Sequence, residues 1–141
     1  MINSILFLFL LTAPVLQPTA KNDHVKLELS VQATVSEKTA ATVSFMFTPL
    51  EGIHVNTLPN IEFKLEKDSP FELIGKPTFV KTEKDYLDVT QPVIVTVKAK
   101  KNSVKGRGVI KGKLNYFFCS DKDGWCNRFS QPVEIGIEIT K

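Results

Sequence analysis

The two cysteines of this 141-residue chain lie close together, in the stretch Phe118-Cys-Ser-Asp-Lys-Asp-Gly-Trp-Cys126. A pair of thiols at such spacing can exchange electrons with other thiols, cross-link the chain, or bind a metal ion. Six residues separate Cys119 from Cys126, and the Asp-Lys-Asp-Gly segment between them is typical of a tight turn. Such a turn would bring the two sulfur atoms together without strain.

The spacing alone leaves two hypotheses open for this pair, a structural disulfide and a redox-active one. Closing so short a loop contributes only about 2.5 kcal/mol in the chain-entropy model, so a local bridge is a weak structural cross-link. A local bridge can also open and close without unfolding the rest of the domain. The redox hypothesis would make the cysteine pair the centre of the function, whereas the structural hypothesis would say little about function.

Aromatic and acidic residues surround the cysteines in the sequence. We predict that Tyr116 and Trp125 shield the disulfide from stray thiols. Asp121 and Asp123 are predicted to raise the pKa of the nearby thiol, because a carboxylate disfavours the thiolate. The alternative is that Tyr116 belongs to the core and that both aspartates are ordinary turn residues.

Other chemistries have little support in the sequence. A zinc site would need two further ligands, and His24 and His54, the only histidines, show no ligand spacing. We therefore predict no metal site and place both histidines on strand surfaces. No Ser-His-Asp set or phosphate-binding glycine loop is recognisable, which argues against a hydrolase, a nucleotide enzyme or a bound cofactor.

The first twenty residues carry no charged side chain and contain an apolar run from Ile5 to Leu11. The run is shorter than the roughly 20 residues of a membrane span and suits the hydrophobic region of a signal peptide. We predict a cleaved signal peptide over residues 1–20, one domain over 21–141, and a periplasmic or secreted location. The mature chain would have no transmembrane segment, and an oxidising compartment would favour pairing of the cysteines.

Alternation of apolar and polar residues is the dominant pattern of the mature chain and predicts strands with one buried face. The predicted strands are Val25–Val35, Val43–Phe47, Ile61–Leu65, Val93–Ala99, Lys111–Phe118 and Val133–Ile139. The pattern indicates an all-β fold of about seven to nine strands in two packed antiparallel sheets. Cys119 would lie at the end of one strand, and Cys126 in the connection to the next.

A basic stretch from Lys98 to Lys113 lies within residues 89–120, which contain no Asp or Glu. We predict a solvated hairpin, with a mobile tip at its glycines, whose lysines protect a sheet edge. The alternative is a docking surface for an acidic partner or for an anionic envelope surface. Nucleic acid is not expected as a partner of an exported protein whose net charge is only +3.

Two segments resemble a known family. The run Tyr116-Phe-Phe-Cys119, followed by Gly124-Trp125-Cys126, resembles the cysteine motif of the amino-terminal periplasmic domain of the thiol:disulfide interchange protein DsbD. In that family a strand with a tyrosine before the first cysteine leads into a short acidic turn and a Gly-aromatic-Cys sequence. The upstream segment Glu51–Asn56 is similar to the family's Gly-aromatic stretch after an early strand.

The resemblance implies an immunoglobulin-like β-sandwich that passes electrons between redox proteins through Cys119 and Cys126. It implies periplasmic thioredoxin-like or disulfide-isomerase proteins as partners, and a separate membrane protein as the electron donor. It also implies a capping loop with an aromatic tip, for which Lys81–Asp88 is the candidate segment, with Tyr86 at its tip. The alternative is a non-catalytic interaction domain of the cell envelope with a structural disulfide.

Overall fold

The computed structural model describes residues 21–141, so the predicted signal peptide lies outside the described residues. The all-β prediction is confirmed, because these residues form strands and no helix. The strands are β1 (Val25–Val31), β2 (Thr34–Val35), β3 (Ala41–Pro49), β4 (Ile53–Asn56), β5 (Glu62–Leu65), β6 (Phe71–Leu73), β7 (Val93–Ala99), β8 (Gly106–Ser120) and β9 (Cys126–Ile139).

The strands form two sheets with the order β1-β3-β7-β6 and β2-β9-β8-β4, and β5 also pairs with β8. This is the strand order of an immunoglobulin sandwich, in which A-B-E-D forms one sheet and C-F-G the other. All pairings are antiparallel except that of β2 with β9, which is parallel. In this correspondence the disulfide lies in the hairpin between strands F and G, not between the two sheets.

The predicted long strand Val25–Val35 is interrupted. Its first part, β1, pairs with β3, whereas Thr34 and Val35 pair with Glu138 and Ile139 of the other sheet. The alternation of side chains continues through both parts, so the hydrophobic pattern could not reveal that the chain changes sheets at residues 32–33.

The core lies between the two sheets and consists of the inward-facing residues of both. Phe45 of β3 contacts Phe63 of β5, with ring centroids 5.8 Å apart. Phe47 of the first sheet meets Tyr116 of the second edge-to-face at 5.0 Å. Edge-to-face contacts of this kind are favourable for aromatic pairs in addition to their burial. These contacts position strand β8 firmly against the first sheet.

Strands β8 and β9 form the longest hairpin, paired from Gly106 opposite Ile139 to Cys119 opposite Cys126. The prediction of a basic hairpin with a glycine tip is therefore wrong. Strand β7 belongs to one sheet and β8 to the other, so the lysine-rich connection between them crosses from sheet to sheet. Gly106 begins β8, and the next two glycines of the stretch lie inside that strand.

Gly112 lies inside β8 because the neighbouring strand comes too close for a side chain. A Cβ atom there would overlap the carbonyl oxygen of Lys64 and lie 2.9 Å from the Phe63 ring. At Gly136 of β9, the nearest atom to an added Cβ is the flexible Arg107 side chain at 3.6 Å. The two glycines therefore differ in the space available, although both belong to the same hairpin.

We expect Gly112→Ala to lower the free energy of unfolding by about 1–3 kcal/mol, the usual cost of overpacking. The matched control, Gly136→Ala, should change the free energy of unfolding by less than about 0.5 kcal/mol. Urea unfolding followed by circular dichroism measures both variants. Equal stabilities of the two variants would contradict the close approach of Lys64 to Gly112.

Candidate functional site

Cys119 and Cys126 form a disulfide at the end of the β8–β9 hairpin, with their Cα atoms 4.0 Å apart. Cys126 is the first residue of β9 and lies directly opposite Cys119. The prediction that Cys126 lies in the connection is therefore wrong, because β9 begins at Cys126 and not at Val133. The polar residues Asn127, Arg128 and Ser130 hide the start of β9 from an analysis of hydrophobic alternation.

The turn between the cysteines is closed by its own hydrogen bonds. The Ser120 amide donates to the Trp125 carbonyl at 2.9 Å, and the Gly124 amide donates to the Ser120 carbonyl at 3.0 Å. The Asp123 amide donates to the Ser120 hydroxyl oxygen at 3.1 Å. Gly124 has a φ of 70°, a left-handed conformation that glycine adopts easily. The turn therefore has backbone support that does not depend on the disulfide.

The two sulfur-bearing residues differ strongly in exposure. Cys119 is only 5% exposed, whereas Cys126 belongs to the exposed residues of β9. Strand β4 lies beside β8 and covers Cys119, while the opposite edge of the hairpin end is open near Cys126. A partner from solution would therefore reach the disulfide from the Cys126 side.

Tyr116 and Trp125 occupy the core side of the hairpin, the face opposite to the disulfide. Side chains alternate along a strand, so Tyr116 and Phe118 point inward, and Cys119 points outward. The Trp125 ring packs edge-on against Phe118 at 5.7 Å and against His24 at 5.0 Å. Tyr116 thus supports the hairpin from within the sandwich and the half-buried Trp125 supports it from the edge of the core, and their shielding of the disulfide remains a prediction.

Tyr116 is fully buried, and its hydroxyl accepts a hydrogen bond from the Asn22 side-chain amide at 3.0 Å. Burial raises the pKa of the Tyr116 phenol to about 12, because the charged phenolate is poorly solvated there, and the hydrogen bond from Asn22 offsets only part of this effect. His24, which was predicted to lie on a strand surface, instead contacts Trp125 and Phe118 at the end of the core.

The disulfide face carries His54 and Asn56 of strand β4. His54 lies opposite Cys119 in the strand register. Asn56 lies two residues further along β4 and therefore on the same face. The Asn56 side-chain amide donates a hydrogen bond to the Cys119 sulfur at 3.0 Å. As predicted, His54 lies on the outward face of a strand, but its side chain is only 16% exposed.

Tyr86 belongs to this same face, but it does not lie at the tip of its loop. The Thr82 amide donates to the Tyr86 carbonyl and the Asp85 amide to the Thr82 carbonyl, so the turn precedes Tyr86. Tyr86 instead lies beside Asn56 at the edge of β4, where the two residues form a β-bridge. Its ring stacks on the His54 imidazole, with centroids 3.6 Å apart and planes inclined by 20°.

The two aspartates of the turn have different surroundings. The Asp121 carboxylate lies 2.8 Å from Nδ1 of His54, an ion-pair distance, although the imidazole nitrogen is not aligned for a hydrogen bond. The side chain of Asp123 is exposed, and only the backbone amide of this residue has a described partner. The predicted influence of both acids on the thiol pKa remains a prediction. Of the two, Asp121 is the one whose carboxylate lies beside an imidazole.

Sequence reasoning missed His54 and Asn56 as members of the site. The signal that could have found them is the segment Glu51–Asn56, which was singled out only for its family resemblance. A polar residue at every second position of a short strand indicates one polar face, here His54 and Asn56 around the buried Val55. The pairing of β4 with the end of β8 connects that face with the cysteines, and no local pattern reveals such pairing.

Within residues 21–141 no group of three or more potential ligand side chains could hold a metal ion. The same residues contain no helix long and apolar enough to cross a membrane. Comparison with known proteins adds no family, since no family model, no curated protein and no solved structure matches the chain. The disulfide and its polar face are therefore interpreted from their own geometry.

We expect the Tyr116 phenol to titrate at about pH 12, because burial disfavours the phenolate. Its folded-state pKa exceeds the value of about 10 in unfolded peptides, so its contribution to stability is complete below pH 10. That contribution should be lost as the pH rises towards 12. Tyrosinate absorbance of the wild type minus that of Tyr116→Phe isolates this group, because Tyr86 is the only other tyrosine. A difference curve with its midpoint near pH 10 would contradict the burial.

Proposed function

We propose that the chain is an exported thiol–disulfide exchange module that passes electrons between redox proteins through Cys119 and Cys126. The observation that supports this best is the unequal exposure of the two cysteines in one disulfide. A sulfur that is open to solvent can be attacked, and its buried neighbour can act as the leaving and resolving thiol. A disulfide with only a structural role does not need this asymmetry.

The exchange can be written with the two cysteines in separate roles. A thiolate of an electron donor attacks the Cys126 sulfur, the S–S bond breaks, and Cys119 leaves as a thiolate with the electron pair. The second thiol of the donor then attacks the donor sulfur that is bonded to Cys126, and Cys126 is released as a thiolate. The donor dithiol is oxidised to a disulfide, and the module is reduced by two electrons.

Delivery of the electrons runs in the reverse sense. The Cys126 thiolate attacks the disulfide of an acceptor, and Cys119 resolves the resulting mixed disulfide. The hydrogen bonds of Ser120 with Trp125 and Gly124 do not involve the sulfurs, so we expect the turn to stay closed on reduction and cycling to proceed without unfolding. By the resemblance to the DsbD domain, the acceptors are periplasmic thioredoxin-like or disulfide-isomerase proteins, and the donor is a separate membrane protein.

A non-catalytic interaction domain of the envelope is the second candidate function. It is favoured by the cleft beside the cysteine turn, which is lined by residues that include Leu50 and Trp125. Leu50 is 58% exposed, although it is a large apolar residue. In that case the disulfide would stiffen the turn next to a binding surface, and reduction would alter binding without any exchange of electrons.

We expect the Cys119–Cys126 pair to have a reduction potential between about −270 and −120 mV, the range of known exchange proteins. Circular dichroism during equilibration with thiol–disulfide buffers should report the same fold in both states. A potential below about −300 mV, or loss of the fold on reduction, would identify a structural disulfide.

The single-cysteine variants test the roles of the two sulfurs. Cys119→Ala retains the exposed thiol, and we expect it to react with a disulfide reagent at least about tenfold faster than Cys126→Ala, because exchange depends on access. Cys119→Ala should also accumulate mixed disulfides with acceptor proteins, since the resolving thiol is absent. Equal reactivity of the two variants would contradict the proposed division of roles.

Tyr86 is proposed to restrict access to the disulfide face through its stacking on His54. Tyr86→Ala should therefore accelerate reduction of the disulfide by dithiothreitol, and a several-fold increase is expected. Lys84→Ala is the matched control, because Lys84 is an exposed residue of the same turn. Identical rates in the wild type and both variants would mean that the segment does not act as a cap.

A further inference from the structure

We propose that Asn56 and His54 of strand β4 form a site that holds the Cys119 thiolate when the disulfide opens, with Asp121 positioning the imidazole. The inference rests on the proposed exchange function and assigns chemistry to residues outside the cysteine motif. In this site the side-chain amide of Asn56 is the hydrogen-bond donor to the sulfur. His54 supplies a second polar group beside it.

The Asn56 contact is the primary observation. Its side-chain nitrogen lies 3.0 Å from the Cys119 sulfur, a short distance for a donor to sulfur. A disulfide sulfur is a weak acceptor, whereas a thiolate in the same place carries a full charge, and hydrogen bonds to charged groups are the stronger ones. The contact thus gains strength when Cys119 becomes the leaving group.

The other end of the same amide is unusual. The Asn56 side-chain oxygen is buried and has no hydrogen-bond partner among the described residues. A buried polar atom without a partner is costly and calls for an explanation. In the reduced module a protonated Cys119 thiol is a donor, and rotation of the amide would offer it this oxygen as an acceptor. One side chain can therefore serve both the thiolate and the thiol.

His54 lies next to the sulfur and makes two further contacts. The register of β4 and β8 places it opposite Cys119, where side chains of an antiparallel pair are about 4.5–5.5 Å apart at Cβ. The Asp121 carboxylate lies 2.8 Å from its Nδ1 atom and helps to fix the position of the ring. The Tyr86 ring stacks on the imidazole and covers it. The imidazole therefore stays beside the sulfur as a second polar group.

The charged and titratable groups around Cys119 come from each neighbouring element. Strand β4 contributes His54, the turn contributes Asp121, and the segment beside β4 contributes Tyr86. Strand β9 contributes Arg128, which lies opposite Phe117 on the disulfide face. The Asp121 carboxylate lies against the His54 imidazole, and the group that contacts the Cys119 sulfur directly is the Asn56 amide, a hydrogen-bond donor. Considered alone, the acids of the turn would instead disfavour a thiolate at Cys119.

This arrangement also gives a reason for the direction of attack. A disulfide breaks faster when the departing thiol has a lower pKa, because the leaving group is more stable as a thiolate. Stabilising Cys119 as the thiolate therefore directs the incoming nucleophile to Cys126, the exposed sulfur. Exposure and leaving-group stabilisation favour the same outcome through independent physical effects.

The first experiment measures the Cys119 thiolate directly, without any redox partner. In a Cys126→Ala background, ultraviolet absorbance of the thiolate gives the pKa of the remaining thiol. We expect Asn56→Ala to raise that pKa and the isosteric Asn56→Asp to raise it further, because a carboxylate repels the thiolate. Asn127→Ala, which removes an exposed amide next to position 126, is the control and should leave the pKa unchanged.

The second experiment measures exchange in the intact pair. Reduction of the disulfide by dithiothreitol should be about fivefold to tenfold slower in Asn56→Ala, as expected for loss of a hydrogen bond to a charged leaving group. Asp121→Asn should also slow reduction, whereas the exposed Asp123→Asn should not. Circular dichroism of each variant confirms that the comparison is between folded proteins.

The outcomes separate this inference from the proposed function. An unchanged Cys119 pKa in both Asn56 variants would overturn the thiolate site, even if the wild type exchanges electrons. A raised pKa together with a structural reduction potential would retain the thiolate site and reject the exchange function. Faster reduction in Asp121→Asn would overturn the positioning role of Asp121 and restore the prediction that this acid opposes the thiolate.

Discussion

The antiparallel pairing of β8 with β9 is the constraint on which the rest of the site depends. The register runs without interruption from Gly106 opposite Ile139 to Cys119 opposite Cys126. Since the period of side chains along a strand is two residues, this register decides at once which residues enter the core and which face outward. A shift by one residue would move the cysteines to the core face and expose Tyr116 and Phe118.

The same alternation separates stability from chemistry at the end of the hairpin. The inward face carries Tyr116, Phe118 and Trp125, whose ring contacts anchor the hairpin end to the sandwich. The outward face carries the disulfide together with polar residues of β4. The aromatic residues next to the cysteines in the sequence are therefore structural supports of the site. This separation keeps the disulfide outside the aromatic core.

The site also combines two protein environments within a few ångströms. Cys119 is covered by strand β4, which supplies a donor from Asn56, while Cys126 faces solvent. The disulfide thus joins a buried cysteine, Cys119, whose sulfur has a polar partner, to an exposed cysteine, Cys126. The turn, closed by bonds such as Ser120 to Trp125, keeps both cysteines in place. The two cysteines therefore differ in both polar contacts and exposure.

The sequence by itself determined the all-β class, the core faces of most strands and the turn between the cysteines, because alternation and turn chemistry are local properties. It could not determine that Val35 pairs in a different sheet from Val31, or that Cys126 begins a strand, since local polarity hides both. Only the tertiary structure placed His54 and Asn56 beside Cys119. Such contacts between residues distant in sequence follow from sheet order and register, which the packing of the whole sandwich decides.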